Sequence, residues 1–275
     1  MEVLLVIFVL LGIILIKHLF FWSPLDVSHL YQNGPLKIGH RGSPKEAPEN
    51  TLPSYKNAVS SGLSAIEIDV VGTKDGKLVC SHNIDLERET DSFGYIDEKT
   101  SADLVNVNAG VKFDDYSPTK MPLLEEVIED LPDDLIINIE IKTRKIFDKS
   151  MADAVVKTIQ RNKMHHRTII SCFNPLVIGL VKWRDSTIIT AYIWDVESVP
   201  PLLKKPLFVN LVHPDLFHPC VDLVNEGSMR FARRKGLKIN VWTVNNQPTI
   251  NWLLKMGIDG IFGDFPHLLL NKLKT

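Results

Sequence analysis

The sequence predicts an α/β protein built as a (β/α)8, or TIM, barrel. Three observations carry that prediction. Strand-like and helix-like segments alternate from Leu36 to Gly263. Nine segments read as strands, one of them returned by a tight Asp75-Gly76 turn, which leaves eight that can run parallel. Eight parallel strands in about 240 residues is the size of such a barrel. The rival, an open doubly wound sheet, has no Gly-rich dinucleotide loop to support it.

The chain opens with a different kind of element. Val3 to Ile16 is apolar apart from Gly12, Lys17 and His18 interrupt it, and Leu19 to Trp22 resume it. Taken to Trp22 the stretch reaches the length of about 20 residues needed to cross a bilayer. Glu2 is the only charged side chain before the run and no small-x-small site follows, so an uncleaved anchor is favoured over a signal peptide. Residues 1–22 are expected to form a single-pass membrane anchor and 23–34 a tether. Lys17 and Lys37 follow the run, and that bias is expected to place the domain over 35–275 in the cytoplasm.

Leu36 to Ile38 is a short strand that breaks at Gly39-His40-Arg41-Gly42. Asn50 is expected to cap the helix that follows, with Pro53 in its first turn. Ala65 to Val70 is a strand carrying Glu67 and Asp69. Thr73 to Gly76 is a turn, and Lys77 to His82 comes back antiparallel, returning His82 toward the carboxylates. Residues 83–121 are polar and weakly periodic, an insert with one short helix near Ser101 to Leu104. Pro122 to Leu131 is a helix with a solvated acidic face. Leu135 to Lys142 is a strand carrying Glu140. Then come a helix over Asp148 to Met164, a strand over Thr168 to Phe173, a helix over Pro175 to Arg184 and a strand over Thr187 to Trp194. The linkage after Trp194 holds Pro200, Pro201 and Pro206 and predicts a loop crossover. Leu207 to Val212 is expected as a strand, Val224 to Lys235 as a helix, Lys238 to Asn245 as a strand, Pro248 to Met256 as a helix and Gly260 to Gly263 as the last strand.

Composition excludes several classes. A formal charge of -2 gives no reason to expect a nucleic acid partner. Cys80, Cys172 and Cys220 are far apart with no CxxC, so neither a disulfide framework nor a thiolate zinc site is indicated.

Catalytic residues of such barrels gather at the C-terminal strand ends. That rule selects His40, Glu67, Asp69, His82, Glu140, Lys142 and Trp242. Glu67 and Asp69 are two apart on a strand and face the same way. Three inward carboxylates repel one another unless a cation joins them, and an all-oxygen set favours one hard divalent cation, Mg2+ or Ca2+. With Arg41 beside them, two histidines suit phosphodiester cleavage, one taking and one giving a proton. His165, His166, His213, His218 and His267 read as structural.

Six segments in register, His40-Arg41-Gly42, Pro48-Glu49-Asn50-Thr51, Glu67 to Val70, Thr73 to Gly76, Glu140 to Lys142 and Trp242 to Asn245, resemble the glycerophosphodiester phosphodiesterase family from about Leu36 to Pro266. The resemblance implies a TIM barrel with the insert after the hairpin. It implies metal-dependent hydrolysis of a glycerophosphodiester to sn-glycerol 3-phosphate and an alcohol. It further implies His40 and His82 as acid/base residues, Glu67, Asp69 and Glu140 as metal ligands, Arg41 and Lys142 as phosphate contacts, and Trp242 as an aromatic wall for glycerol. The chain departs from the family at Asn83, where Asp is usual, which predicts a shifted pH profile.

Two other functions compete. A lysophospholipase D acting on lysolipids of the same bilayer would gain from the anchor, and would need an apolar groove to which Phe93, Phe113 and Tyr116 could contribute. A catalytically inactive barrel that binds a phosphoryl ligand has only Asn83 in its favour.

Overall fold

Period-two alternation decides which side chains enter the barrel and which meet the helices. The structure, a computed structural model, describes residues 2–195 and 208–271. The strands are β1 (Leu36–Gly39), β2 (Ala65–Gly72), β3 (Leu78–Cys80), β4 (Ile136–Ile141), β5 (Thr168–Cys172), β6 (Ile189–Trp194), β7 (Leu216–Pro219), β8 (Lys238–Val241) and β9 (Gly260–Gly263). They run in the order β1-β9-β8-β7-β6-β5-β4-β2-β3, and a parallel β1–β2 pairing closes the ring. Among the described residues only β3 is antiparallel, pairing back onto β2 as the hairpin requires. The eight-stranded parallel barrel is therefore the one expected.

The helices are α1 (Glu2–Phe20), α2 (Leu52–Ser60), α3 (Ser101–Leu104), α4 (Leu124–Asp130), α5 (Lys149–Arg161), α6 (Pro175–Arg184), α7 (Val209–Val212), α8 (Glu226–Lys235), α9 (Gln247–Met256) and α10 (Pro266–Leu270). Asp148, Asn174, Asn225 and Asn246 cap α5, α6, α8 and α9, each accepting a first-turn N–H. Outward-facing Ile66, Ile68, Ile137, Ile139, Ile170, Phe217 and Ile239 bury against these helices in one apolar layer.

Inside the barrel the chemistry changes with height. At the lower end, formed by the strands' N-terminal ends, Leu36, Ile38, Ala65, Ile169, Ile189 and Leu216 make an apolar plug. Higher up, the inward positions turn polar: Glu67 and Asp69 on β2, Asn138 and Glu140 on β4, Ser171 on β5 and His218 on β7. Register sets Glu67 beside Asn138 and Asp69 beside Glu140. The plug excludes water from below, so the polar layer opens only upward.

Three expectations change. Of the strand expected over 207–212, Val209–Val212 is instead the helical turn α7, residue 207 lies outside the described residues, and β7 lies at Leu216–Pro219. Pro214 and Pro219 disguised it, but Pro219 is the strand's last residue, where its missing N–H costs little. The Pro-rich crossover after Trp194 falls outside the described residues. At the N-terminus, among the described residues, no helix is long and apolar enough to cross a membrane, so the anchor expected over 1–22 is not supported. The reason is geometric. His18 Nε2 bonds the Leu211 carbonyl at 3.0 Å and Trp22 stacks on His213, so the end of α1 belongs to the barrel surface. That leaves Val3 to Ile16, which at 1.5 Å per residue covers about 21 Å of a roughly 30 Å hydrocarbon core. The stretch expected as a tether is packed as well, with Val27 and Leu30 buried in the plug.

The insert folds on a small core of its own: Val71, Val79, Leu86, Ile96, Leu104, Val107 and Met121. Asp75 ties it to the hairpin by bonding the Ser101 N–H at 2.9 Å and hydroxyl at 2.7 Å. Phe93 points to solvent, and Phe113 meets Tyr116 edge-on.

Candidate active site

Glu67, Asp69 and Glu140 each bring an oxygen to one place, all within 4.8 Å of one another. Asp69 is held from three directions. Asn50 Nδ2 donates to its Oδ2 at 2.8 Å, Arg41 Nε lies 3.3 Å from the same oxygen, and Lys142 Nζ lies 3.0 Å from Oδ1. Asn50 also accepts the Asp69 N–H and the Tyr55 hydroxyl. It is therefore turned inward and does not cap α2, which begins after Thr51 without a side-chain cap. The backbone N–H of Arg41 donates to Glu67 Oε2 at 2.7 Å. That contact needs the sharp loop after β1, where Gly42 has φ +87° and a Cβ would strike the Ser54 backbone at 2.6 Å.

The electrostatics follow from burial and crowding. Burial, then the like charges of Asp69 and Glu140, push the Glu67 carboxyl well above its ordinary range. Burial also raises Glu140. Burial works to raise Asp69 too, but Lys142, Arg41 and His82 hold it below the usual carboxylate range. Arg41 also pairs with Glu49 at 2.8 Å, and Lys142 pairs with Glu140. Two fixed cations thus face four carboxylates, Glu49, Glu67, Asp69 and Glu140. Glu67 Oε1 is buried with no hydrogen-bond partner among the described residues. A hard divalent ion would balance the remaining charge and satisfy that oxygen, so the donor set fits Mg2+ or Ca2+.

The two histidines flank this cluster and are held differently. His40 Nδ1 sits 2.7 Å from Asp264 Oδ1. Asn245 fixes Asp264 in turn, donating to its Oδ2 at 2.7 Å and accepting its backbone N–H at 2.8 Å. His82 Nδ1 faces the neutral Asn83 Oδ1 at 3.3 Å. Burial, together with Lys142 and Arg41, lowers His82 to about 4, so its ring is neutral near pH 7.

The site residues expected from the sequence come together. His40, Arg41, Glu67, His82, Glu140, Lys142 and Trp242 line one cavity of about 100 Å3, and Asp69 lies beneath it in contact with Arg41 and Lys142. Trp242 meets Phe173 edge-on at 5.5 Å and closes one side. A second cavity of about 350 Å3 shares His82 and runs under the insert past Glu89, Lys112 and Phe113. Sequence reasoning missed Asp264, although it directly follows β9 and the strand-end rule that found His40 selects it equally. It also missed Phe173 and His218; the latter, read as structural, lies on the same cavity.

Comparison with known proteins agrees with this geometry. A family model described as the glycerophosphoryl diester phosphodiesterase family matches residues 40–268. A glycerophosphodiester phosphodiesterase of Caldanaerobacter subterraneus subsp. tengcongensis is 32% identical over 239 residues, covering 86% of this chain and 96% of the relative. Among solved structures, a phosphodiesterase of Oleispira antarctica in complex with the product sn-glycerol-3-phosphate is 26% identical with TM-score 0.75, covering 86% of this chain and 96% of that one. A glycerophosphodiester phosphodiesterase of Thermotoga maritima is 29% identical with TM-score 0.69, at 86% and 97% coverage.

Proposed function

The chain belongs to the glycerophosphoryl diester phosphodiesterase family, and from that premise we propose that its upper cavity hydrolyses glycerophosphodiesters to sn-glycerol 3-phosphate and an alcohol with the help of one divalent cation. The observation that carries this reading is the packing of three carboxylate oxygens within 4.8 Å between two differently held histidines. A phosphodiester binds with its non-bridging oxygens toward Arg41 and Lys142, whose charges favour the extra negative charge that develops in phosphoryl transfer. Bound at Glu67, Asp69 and Glu140, the cation supplies further neutralisation of that charge. His82, neutral at working pH, takes the proton of the attacking oxygen. His40 gives its proton to the leaving alkoxide, and Asp264 keeps the ring oriented and balances its charged form. The glycerol arm lies along Trp242 and Phe173, and the alcohol leaves toward the cavity under the insert.

The test is hydrolysis of glycerophosphocholine by the full chain with Mg2+, with Ca2+ and with EDTA. Turnover that EDTA abolishes and either ion restores is expected. Turnover indifferent to EDTA would remove the cation from the reading, and no turnover under any condition would favour the inactive barrel.

One observation favours a second reading, in which the enzyme works at a lipid surface on lysolipids. Each large apolar side chain of α1 from Leu4 to Ile16 is 46% exposed or more. An uncovered apolar surface of that extent marks a membrane or protein contact. Flotation with phosphatidylcholine vesicles, by the full chain but not by the protein lacking residues 1–16, is the expected result. Lysophosphatidylcholine assayed beside glycerophosphocholine then separates a lipid location from a lipid substrate.

A further inference from the structure

Resting on the phosphodiesterase reading of this cavity, we propose that His218 and Asn138 form a hydroxyl-recognition floor that selects substrates whose terminal glycerol hydroxyl is free. His218 faces inward from β7 between the apolar plug and the carboxylate cluster, and is 1% exposed. Its Nε2 lies 3.1 Å from Asn240 Nδ2. Asn240 Oδ1 accepts the half-buried Tyr31 hydroxyl at 3.0 Å, which leaves its Nδ2 facing the ring. An amide nitrogen only donates, so Nε2 must accept, and the ring proton belongs on Nδ1. Burial lowers His218 to about 3, so the ring stays neutral and offers a single N–H. That Nδ1 has no partner among the described residues.

Asn138 on β4 is placed in the complementary way. Its Nδ2 donates to Ser171 Oγ at 2.8 Å, and its Oδ1 has no partner among the described residues. Both residues line the cavity of about 100 Å3 beneath Trp242. An orphaned donor and an orphaned acceptor on one small cavity are what a hydroxyl satisfies, since it accepts one bond and gives another. Neither group carries a charge, and the cations that suit the phosphate are Arg41 and Lys142. At about 100 Å3 the space is much smaller than the cavity of about 350 Å3 under the insert. The hydroxyl farthest from phosphorus is the one that reaches the floor. Removing or esterifying it leaves both protein groups unpaired, the condition under which sites built for a hydroxyl discriminate best.

The experiment compares glycerophosphocholine with its analogue in which the terminal CH2OH is CH3. The full chain is used with saturating Mg2+, and kcat/KM is read for wild type, His218→Leu and His218→Gln. Wild type should prefer the hydroxylated diester by about 10- to 100-fold. His218→Leu should lose that preference, dropping on glycerophosphocholine while changing little on the analogue, and His218→Gln, which keeps a donor, should recover part of it. A wild-type ratio near one overturns the proposal whether or not either variant folds, and so does an unchanged ratio in His218→Leu. Turnover of glycerophosphocholine with no preference defeats the floor alone, whereas no turnover of either diester by wild type defeats the phosphodiesterase reading and the floor with it.

Discussion

Replacing Asn83 by Asp should move the acid limb of the activity profile upward. His82 Nδ1 lies 3.3 Å from Asn83 Oδ1, and an isosteric carboxylate would place a negative charge at that oxygen. At that separation the attraction for a protonated ring is about 5 kcal/mol at an effective dielectric of 20. Two effects reduce it. His82 is partly open to solvent, and Asn83 Nδ2 now faces Glu89 Oε1 at 3.4 Å, a contact that becomes repulsive in the variant. A net rise of about 1 to 2 pH units remains, within the usual range for a carboxylate beside a titrating group. The ring starts at about 4. As the base it must be neutral, so wild-type activity holds down to that region and the variant loses activity below about pH 5 to 6. The assay is kcat/KM for glycerophosphocholine between pH 4 and 8 at saturating Mg2+. Near pH 5 the variant should fall several-fold below wild type, with little difference at pH 8. An increase in activity between pH 5 and 7 would refute the reasoning, because it would mean that His82 works as the acid.

The other outcomes follow from the same geometry. Asp264→Asn should lower kcat by about 100-fold with KM little changed, since it removes the partner of His40 without touching the phosphate contacts; equal losses in both constants would place Asp264 in binding. Lys142→Met should destabilise by about 3 kcal/mol, because it leaves Asp69 and Glu140 without their shared cation. Added Ca2+ or Mg2+ should then raise Tm more in the variant than in wild type; an equal rise would argue against the three carboxylates as the ion's site. The His218 ring is held at about 3 in the fold, against about 6.5 when unfolded, so its contribution is intact above pH 6.5 and declines as pH falls toward 3. Between pH 6.5 and 4.5 wild type should lose about 2 to 3 kcal/mol that His218→Gln does not lose, read as urea midpoints. Parallel slopes would show that the ring is solvated.

The parts of this site that were legible in the sequence sit where two rules coincide. Glu67, Asp69 and Glu140 break the apolar alternation of long strands, so a charge at an inward position stands out. His40 directly follows β1, and His82 lies just past the hairpin strand that the Asp75-Gly76 turn brings back along β2. The parts that were not legible lack such contrast. β7 has four residues, ends in proline and offers only Leu216 and Phe217 as apolar markers, so the run just before it, Leu207 to Val212, looked the better strand. With β7 misplaced, His218 became a loop residue. Asn50 shows the other failure. A local preference for capping was overridden by a buried carboxylate on β2, whose desolvation demands a donor more strongly than a helix end does. Leu19 to Trp22 looked like a resumption of the apolar run because hydropathy does not reveal that His18 and Trp22 have partners on the barrel.

Two features pull in opposite directions on lipid. The exposed side chains of α1 favour contact with an apolar phase, and a protein held there meets lipid head groups at high effective concentration. The cavity beside the carboxylates is small, and its floor offers an N–H and a carbonyl oxygen, which an acyl ester cannot satisfy together. The two are consistent if location and specificity are separate properties. α1 would then bring the enzyme to a surface where deacylated phospholipids are released, and the floor would restrict it to those from which the terminal acyl chain has already gone. A full-length protein that floats with vesicles, hydrolyses glycerophosphocholine and spares 1-acyl lysophosphatidylcholine is the pattern this predicts. Equal rates on both diesters would show that the acyl chain leaves the cavity upward past Trp242 and that the floor does not govern the choice.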